Sequence, residues 1–496
     1  MRVKVLHGNI VSRLSRATAI VSLLLSSTLP VSANTTFTIY VAPKNTDAYD
    51  AAKAIAADSD KGTGATQNVS TVLGVERRIH RAFALAHDTL QSCGNCEVHI
   101  KIAAGKYLGK TSSGHWVFPD TIAPDATLKI LGGYDATFTI RDPFRHPTQL
   151  VTGNKRSAPV LTFEGRKHAL KELMVSGLSI DVSAGNNYDA NTHSVLKGSS
   201  SSWPLISVGY ITTDRLVIAD NIFMNAAQGV ASPRIRAMSR DAEVLVFNNV
   251  FVNNIHTWVI EEGGYKNTVS RYVIAANSFI MNWPYNFDPT TSNPGTIEIG
   301  DQYSASAIDI VGNLFAYNSG GAIHTQYDED RTPPLTLTHN LFWRNGKLFG
   351  DIDHDDGVVV GKFAGAATYA TLGVDDLEDD FDWRVEGNLS LDPGLVLTAA
   401  AAPATYPALS GVSDSNALLS LITDTALTPA DNTGATSSDS TSDSTNRESA
   451  VSALSHADNS NASHSYAPYF PFDPNKLPMP TTLSGVGAGS SLVVQY

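Results

Sequence analysis

One short phrase recurs five times through the middle of this chain: Asn221-Ile-Phe-Met-Asn-Ala, Asn249-Val-Phe-Val-Asn-Asn, Asn277-Ser-Phe-Ile-Met-Asn, Asn313-Leu-Phe-Ala-Tyr-Asn and Asn340-Leu-Phe-Trp-Arg-Asn. A shorter sixth copy, Asn388-Leu-Ser-Leu, follows. The leading Asn returns at intervals of 28, 28, 36, 27 and 48 residues, each time after a short β-branched run such as Val244-Leu-Val-Phe or Tyr272-Val-Ile-Ala. Self-similarity at this period marks a solenoid, in which single units cannot bury their own apolar faces and must stack. An Asn after each strand accepts the αL conformation of a tight turn and can hydrogen-bond its counterparts above and below. The Phe two positions later projects to the same side and can stack on the Phe of the next coil.

Strand, Asn turn, aromatic, strand, over roughly residues 150–395, resembles the right-handed parallel β-helix proteins of the pectate-lyase-like superfamily. The resemblance implies an all-β, right-handed parallel β-helix solenoid with an N-terminal capping helix. Many such proteins act on polysaccharides, so it also implies a polysaccharide partner. The same fold carries hydrolases, epimerases, adhesins and binding proteins, so it does not choose an activity.

Of the 496 residues, 42% are hydrophobic and 17% charged, enough apolar content for a long, continuous core. The formal charge of −13 comes with no basic stripe, which argues against a nucleic-acid partner. An acidic polysaccharide stays compatible, because a local basic groove can coexist with an acidic surface. Arg2, Lys4, Arg13 and Arg16 precede an apolar run from Ala17 to Leu29, and Val31-Ser-Ala33 fits a small-residue cleavage site. Residues 1–33 therefore read as a secretion signal, with a secreted, monomeric product starting near Asn34. No later stretch is long and apolar enough to span a membrane. Cys93 and Cys96, the two cysteines present, are expected to form a local disulfide in an exported chain.

Residues 34–150 are expected to hold the cap and first coils. Phe37–Ala42 alternates like a strand, the stretch to about residue 69 reads as loop, and Thr71 is expected to cap a helix bearing Val75, Ile79, Phe83, Ala86 and Leu90. That helix would plug the open end of the stack. Coils proper occupy 151–409. Residues 410–465, rich in Ser, Asp, Thr and Ala, read as a disordered linker. The C-terminal segment 466–496 regains Pro and aromatics.

Counting back from each Asn gives a candidate site. Ile260, Ile297 and Ile323 lie 17, 16 and 17 residues before Asn277, Asn313 and Asn340, and the residues after them are Glu261, Glu298 and His324. If the Ile side chains point inward, these three point outward in one column, with coils about 4.8 Å apart. Carboxylates at that spacing can ligate Ca²⁺, with Asp301, Asp351 and Asp353 as further ligands. They can also serve as the acid and nucleophile of a glycoside hydrolase. A third use is to neutralise a uronate, through a bound cation, while a base removes its C5 proton. Polar columns also stabilise β-helix faces with no chemistry at all.

The interval from Asn277 to Ile297 is 20 residues, against 11 from Asn249 to Ile260, and the surplus holds Trp283, Tyr285 and Phe287 between prolines. Three fixed aromatics beside the column suit a sugar-stacking platform. Lys266 and Arg271 resemble the base and acid of the alginate- and chondroitin-cleaving lyases of this fold, although the Lys-Ser and Arg-His-Gly motifs of those enzymes are absent. His324 is an alternative base. Tyr303 and Arg331 can donate a proton or bind a carboxylate. The expected function is thus an exported lyase acting on an acidic polysaccharide, with a non-catalytic glycan-binding surface protein and a paired-carboxylate hydrolase as alternatives.

Overall fold

The computed structural model describes residues 35–60, 71–109, 114–152, 158–164, 168–182, 188–189, 194–195, 204–226, 229–260, 271–282, 295–300, 307–318, 321–325, 335–345, 357–361, 370–377, 383–390, 395–396 and 479–480. The chain is a right-handed parallel β-helix whose strands stack, mostly in parallel, in three sheets. Strands Glu243–Phe247, Arg271–Ala275, Ile308–Val311 and Leu335–Thr338 stack in the first sheet. Val250–Val252, Ser278–Ile280, Leu314–Ala316 and Leu341–Trp343 stack in the second. The third holds Trp258–Ile260, Ile297–Ile299, Ile323–Thr325 and Val359–Gly361.

Where it recurs, the phrase supplies two of the turns of a coil, those on either side of the second-sheet strand. Side chains of Asn221, Asn249, Asn277, Asn313, Asn340 and Asn388 form a hydrogen-bonded ladder, each Nδ2 donating to the next Oδ1 at 2.9–3.0 Å. Each Oδ1 also accepts the backbone N–H of the preceding ladder Asn. The last position of the phrase builds a second ladder of Asn254, Asn282, Asn318 and Asn345 at 2.8–3.2 Å. The αL conformation is not on the ladder Asn, as expected from sequence, but on the residue before it: Asp220, Asn248, Ala276, Gly312 and His339 all have φ between 50° and 64°. The turn residue bends the backbone, which frees the Asn side chain to point along the stack. Between the ladders Phe223, Phe251, Phe279, Phe315 and Phe342 stack at 4.6–5.2 Å between centroids, all 0% exposed.

At the N-terminal end two sequence expectations give way. The stretch expected to be loop contains helix α1 (Asp47–Asp60), whose Ala48 and Ala52 pack with Tyr40 and Phe138. Thr71 does not cap a helix: Thr71–Glu76 is a strand parallel to Thr35–Val41, and helix α2 runs only over Ile79–Cys93. An available edge beside Thr35–Val41 outweighs the helical spacing of Val75 and Ile79, because pairing satisfies a whole row of backbone groups. Ile79, Ala82, Phe83, Ala86 and Leu90 of α2 then enter the main core against Phe118 and Phe163, so the helix plugs the stack as expected. Cys93 and Cys96 form a disulfide that joins the end of α2 to strand Cys96–Ala103. Among the described residues no helix is long and apolar enough to cross a membrane.

Candidate functional site

The third sheet brings the chemistry-bearing residues together. Trp258, Ile260, Ile297, Ile299 and Ile323 belong to the core, so the residues between them point away from it. Strand pairing places Glu298 directly beside His324 on one side and Val259 on the other. The column counted from Ile260 is therefore displaced by two residues, since Ile260 pairs with Ile299 and the inward slot beside Ile297 belongs to Trp258. The count failed because it ran back from the following Asn, and that interval is longer in this coil: Trp258 lies 19 residues before Asn277, against 16 from Ile297 to Asn313 and 17 from Ile323 to Asn340. Trp258 is 0% exposed and donates Nε1–H to the Tyr272 hydroxyl at 2.8 Å, which anchors the register. Glu261 itself lies outside the described residues.

A residue absent from the sequence argument completes the cluster. His256 occupies the turn before Trp258, with φ at 52°, and its Nε2 lies 2.6 Å from Oε2 of Glu298. With Glu298 ionised, Nε2–H of His256 is the donor. Glu298 and His324 face outward from the coil yet are 3% and 0% exposed, whereas the His256 side chain is 21% exposed. Burial, and then the positive charge His256 can carry, push the His324 imidazole down to about 3, so it stays neutral at ordinary pH. Gly295 lies against it: a Cβ there would meet the backbone N of His324 at 2.4 Å and its Cβ at 2.5 Å, and only glycine fits. The sole sequence signal for His256 was its place two residues before the inward Trp258, and that became readable only once the register was known.

Arg271, the expected acid, sits in the first sheet, in a different sheet from Glu298 and His324. Its Nε donates to Oδ2 of Asp309 at 2.5 Å, and that bond raises its already high pKa. Pairing also aligns it with Glu243, Arg215 and Glu172 in an alternating charge column. Lys266, Trp283, Tyr285, Phe287, Asp301, Tyr303, Arg331, Asp351 and Asp353 lie outside the described residues. Among the described residues no group of three or more His, Cys, Asp or Glu is placed to hold a metal ion. No protein-family model, no curated protein and no solved structure matches the chain.

Proposed function

We propose that this chain is an exported β-helix of the pectate-lyase-like kind that cleaves an acidic polysaccharide by β-elimination, with His256 as the base. The observation that carries the reading is the 2.6 Å contact between His256 and the buried Glu298. A buried carboxylate that fixes Nε2–H gives Nδ1 the acceptor character, the arrangement that orients a histidine for proton abstraction. In the reaction a base takes the C5 proton of a uronate, a double bond forms between C4 and C5, and the C4–O bond breaks as its oxygen is protonated. His324, held neutral by burial beside Glu298, adds no charge of its own to the pair. The hydrolase alternative needs a second carboxylate about 5–5.5 Å from Glu298; among the described residues its column neighbours are Val259 and His324.

A second reading has its own observation. Glu298 and His324 are almost fully buried, as a purely structural polar column would be, which suits a glycan-binding surface rod. One assay separates the readings. The protein starting at Asn34 is incubated with alginate, pectate, chondroitin and neutral glycans, with Ca²⁺ or chelator, and ultraviolet absorbance of unsaturated ends is followed together with reducing ends. Elimination raises both, and His256→Ala or Glu298→Gln then lowers the rate by ~100-fold or more, the usual contribution of a general base. Reducing ends alone mean hydrolysis. No product, with glycan retained, establishes the binding rod.

A further inference from the structure

Among the described non-glycine residues with positive φ, Tyr210 is the one inside a strand, at 59° within Ile206–Ala219. The others occupy turns and bends. A bulky side chain gains nothing locally from αL backbone, so the reason lies in what the conformation does with the ring. Strand pairing supplies it. Gly209 pairs with Arg234 but Ile211 pairs with Ile235, so Tyr210 is the extra residue of a β-bulge. Val208 and Ile211 are both core residues, three positions apart rather than two. Simple alternation would have sent Tyr210 inward with Val208; the bulge turns it out, and it is 40% exposed.

The bulge sets the ring beside two arginines. Ile235 belongs to the core, so Arg234 and Arg236 on either side of it point outward. Nη1 of Arg234 donates to the Tyr210 hydroxyl at 3.4 Å, a contact at the rim of the ring rather than its face, and Arg236 is exposed. Arg240 follows on a loop tied to the same strand, where Oδ1 of Asp214 accepts the N–H groups of Met238 and Ser239 at 2.9 and 2.6 Å. In a chain of net charge −13, residues 221–240 hold these three arginines and no carboxylate. Asp220 before them is buried and paired with Arg141, and Asp241 comes after.

This patch lies on the outer face that carries Glu298. Ala231 bridges Ile206 on one side and Trp258 on the other, so the coil of Arg234 immediately precedes Trp258–Ile260 in the third sheet. The outward column then reads Val117, Thr162, Ser207, Ser232, Val259 and Glu298. It is open to water at its start, where Val117 is 52% exposed, and closes to 7% at Val259 and 3% at Glu298. Glu298 stands two coil steps, ~10 Å, from the coil of Arg234, and Arg234 stands two residues, ~7 Å, along its strand from the column. A saccharide chain lying along this face would cross Tyr210 and the arginines before reaching His256.

We propose that Tyr210, Arg234 and Arg236 form a subsite for a uronate unit of the polysaccharide, ahead of the unit that meets His256. The planar fork of an arginine matches a carboxylate with two parallel N–H···O bonds, and an outward aromatic ring offers an apolar face to the C–H side of a sugar. The kind of saccharide comes from the elimination reading, on which the subsite rests; its place comes from the bulge.

The test is calorimetric binding of an oligouronate to the full chain carrying His256→Ala, so that turnover does not consume the ligand. Adding Arg236→Gln should raise Kd by ~10-fold or more, the usual weight of a hydrogen bond to a charged group. Adding Tyr210→Asn, which accepts αL without the ring, should raise it by roughly 5- to 10-fold, whereas Tyr210→Phe should not change it. Arg236 is exposed, so its arm stands even where Tyr210→Asn fails to fold. A uronate Kd unchanged by Arg236→Gln, or a chain that binds no oligouronate, overturns the subsite. Tighter binding of a sulfated oligosaccharide, lost in the same variants, overturns the uronate assignment in favour of sulfate esters. Failure of the elimination reading looks different: oligouronate binding through Tyr210 and Arg236, with no unsaturated ends from the unsubstituted chain. Unsaturated ends formed at an unchanged KM by a chain with Arg236→Gln alone remove the subsite and leave that reading standing.

Discussion

Removing one rung of the Asn ladder gives the sharpest test of what holds this rod together. Asn277 is 0% exposed, and its Oδ1 accepts the backbone N–H of Asn249 at 2.9 Å and Nδ2 of the same residue at 3.0 Å. Its Nδ2 donates to the carbonyl of Val246 at 2.9 Å and to Oδ1 of Asn313 at 3.0 Å. Asn277→Ala deletes these four bonds. Asn249 Nδ2 still reaches the carbonyls of Ile218 and Phe247, and Asn313 Oδ1 still accepts the Asn277 N–H. The Asn249 backbone N–H, by contrast, loses its acceptor. A stranded buried amide costs about 1–3 kcal/mol and each of the other three bonds about 0.5–1.5, giving roughly 2.5–7.5 kcal/mol in total. Asn388→Ala, at the half-buried end of the ladder, deletes bonds that water can replace and should cost about 1–2 kcal/mol. Urea unfolding at constant slope measures both. Stacked repeats need not unfold in one step, so hydrogen exchange in peptides covering residues 243–253 reads the loss locally. A cost below about 1 kcal/mol for Asn277→Ala, or one equal to that of Asn388→Ala, would refute the view that the ladder carries stability.

Other perturbations follow from the same structure. Phe279→Ala removes a ring stacked at 4.6 and 4.9 Å on Phe251 and Phe315, and thermal unfolding should show a loss of about 3–5 kcal/mol. Gly177→Ala combines a φ of 76° with a Cβ 2.4 Å from the carbonyl oxygen of Gly132; thermal unfolding should show a destabilisation greater than the about 1–2 kcal/mol that αL alone costs. His324 binds its proton more weakly in the folded state, about 3 against an ordinary 6.5, so the unfolded chain takes up the proton first. Its stability contribution is complete above pH 6.5 and declines towards pH 3, by at most about 1.4 kcal/mol per pH unit. Glu97, its carboxyl lowered to about 2 chiefly by its hydrogen bond with His99, adds a loss only below its ordinary 4.5, so stability measured between pH 6.5 and 4.5 isolates the histidine. In His324→Asn this part of the acid slope should vanish; an unchanged slope would show that other groups cause it.

Two features separate what was readable from what was not. The Asn and Phe positions were legible because stacking demands the same residue at the same place in successive coils. The α1 helix was not, because the face it buries consists largely of small residues, Ala48 and Ala52, within an otherwise polar run. Glu298 and His324 could be paired by counting, since both lie one residue after an inward Ile. Glu261 could not be placed and His256 could not be found, because loop lengths between the ladder and the third sheet differ from coil to coil.

By itself the sequence determined the repeat, the stacked β architecture and the residues that line the two turns flanking the second sheet. Those depend on local geometry: strand alternation, turn conformation and side chains that must meet their own kind one coil away. Tertiary structure alone decided the register of the third sheet, and with it which imidazole meets Glu298 and which outward faces are kept dry. A shift of one or two residues in a strand changes every neighbour across the sheet, and only the filled interior, with Trp258 in the inward slot, selects among such shifts.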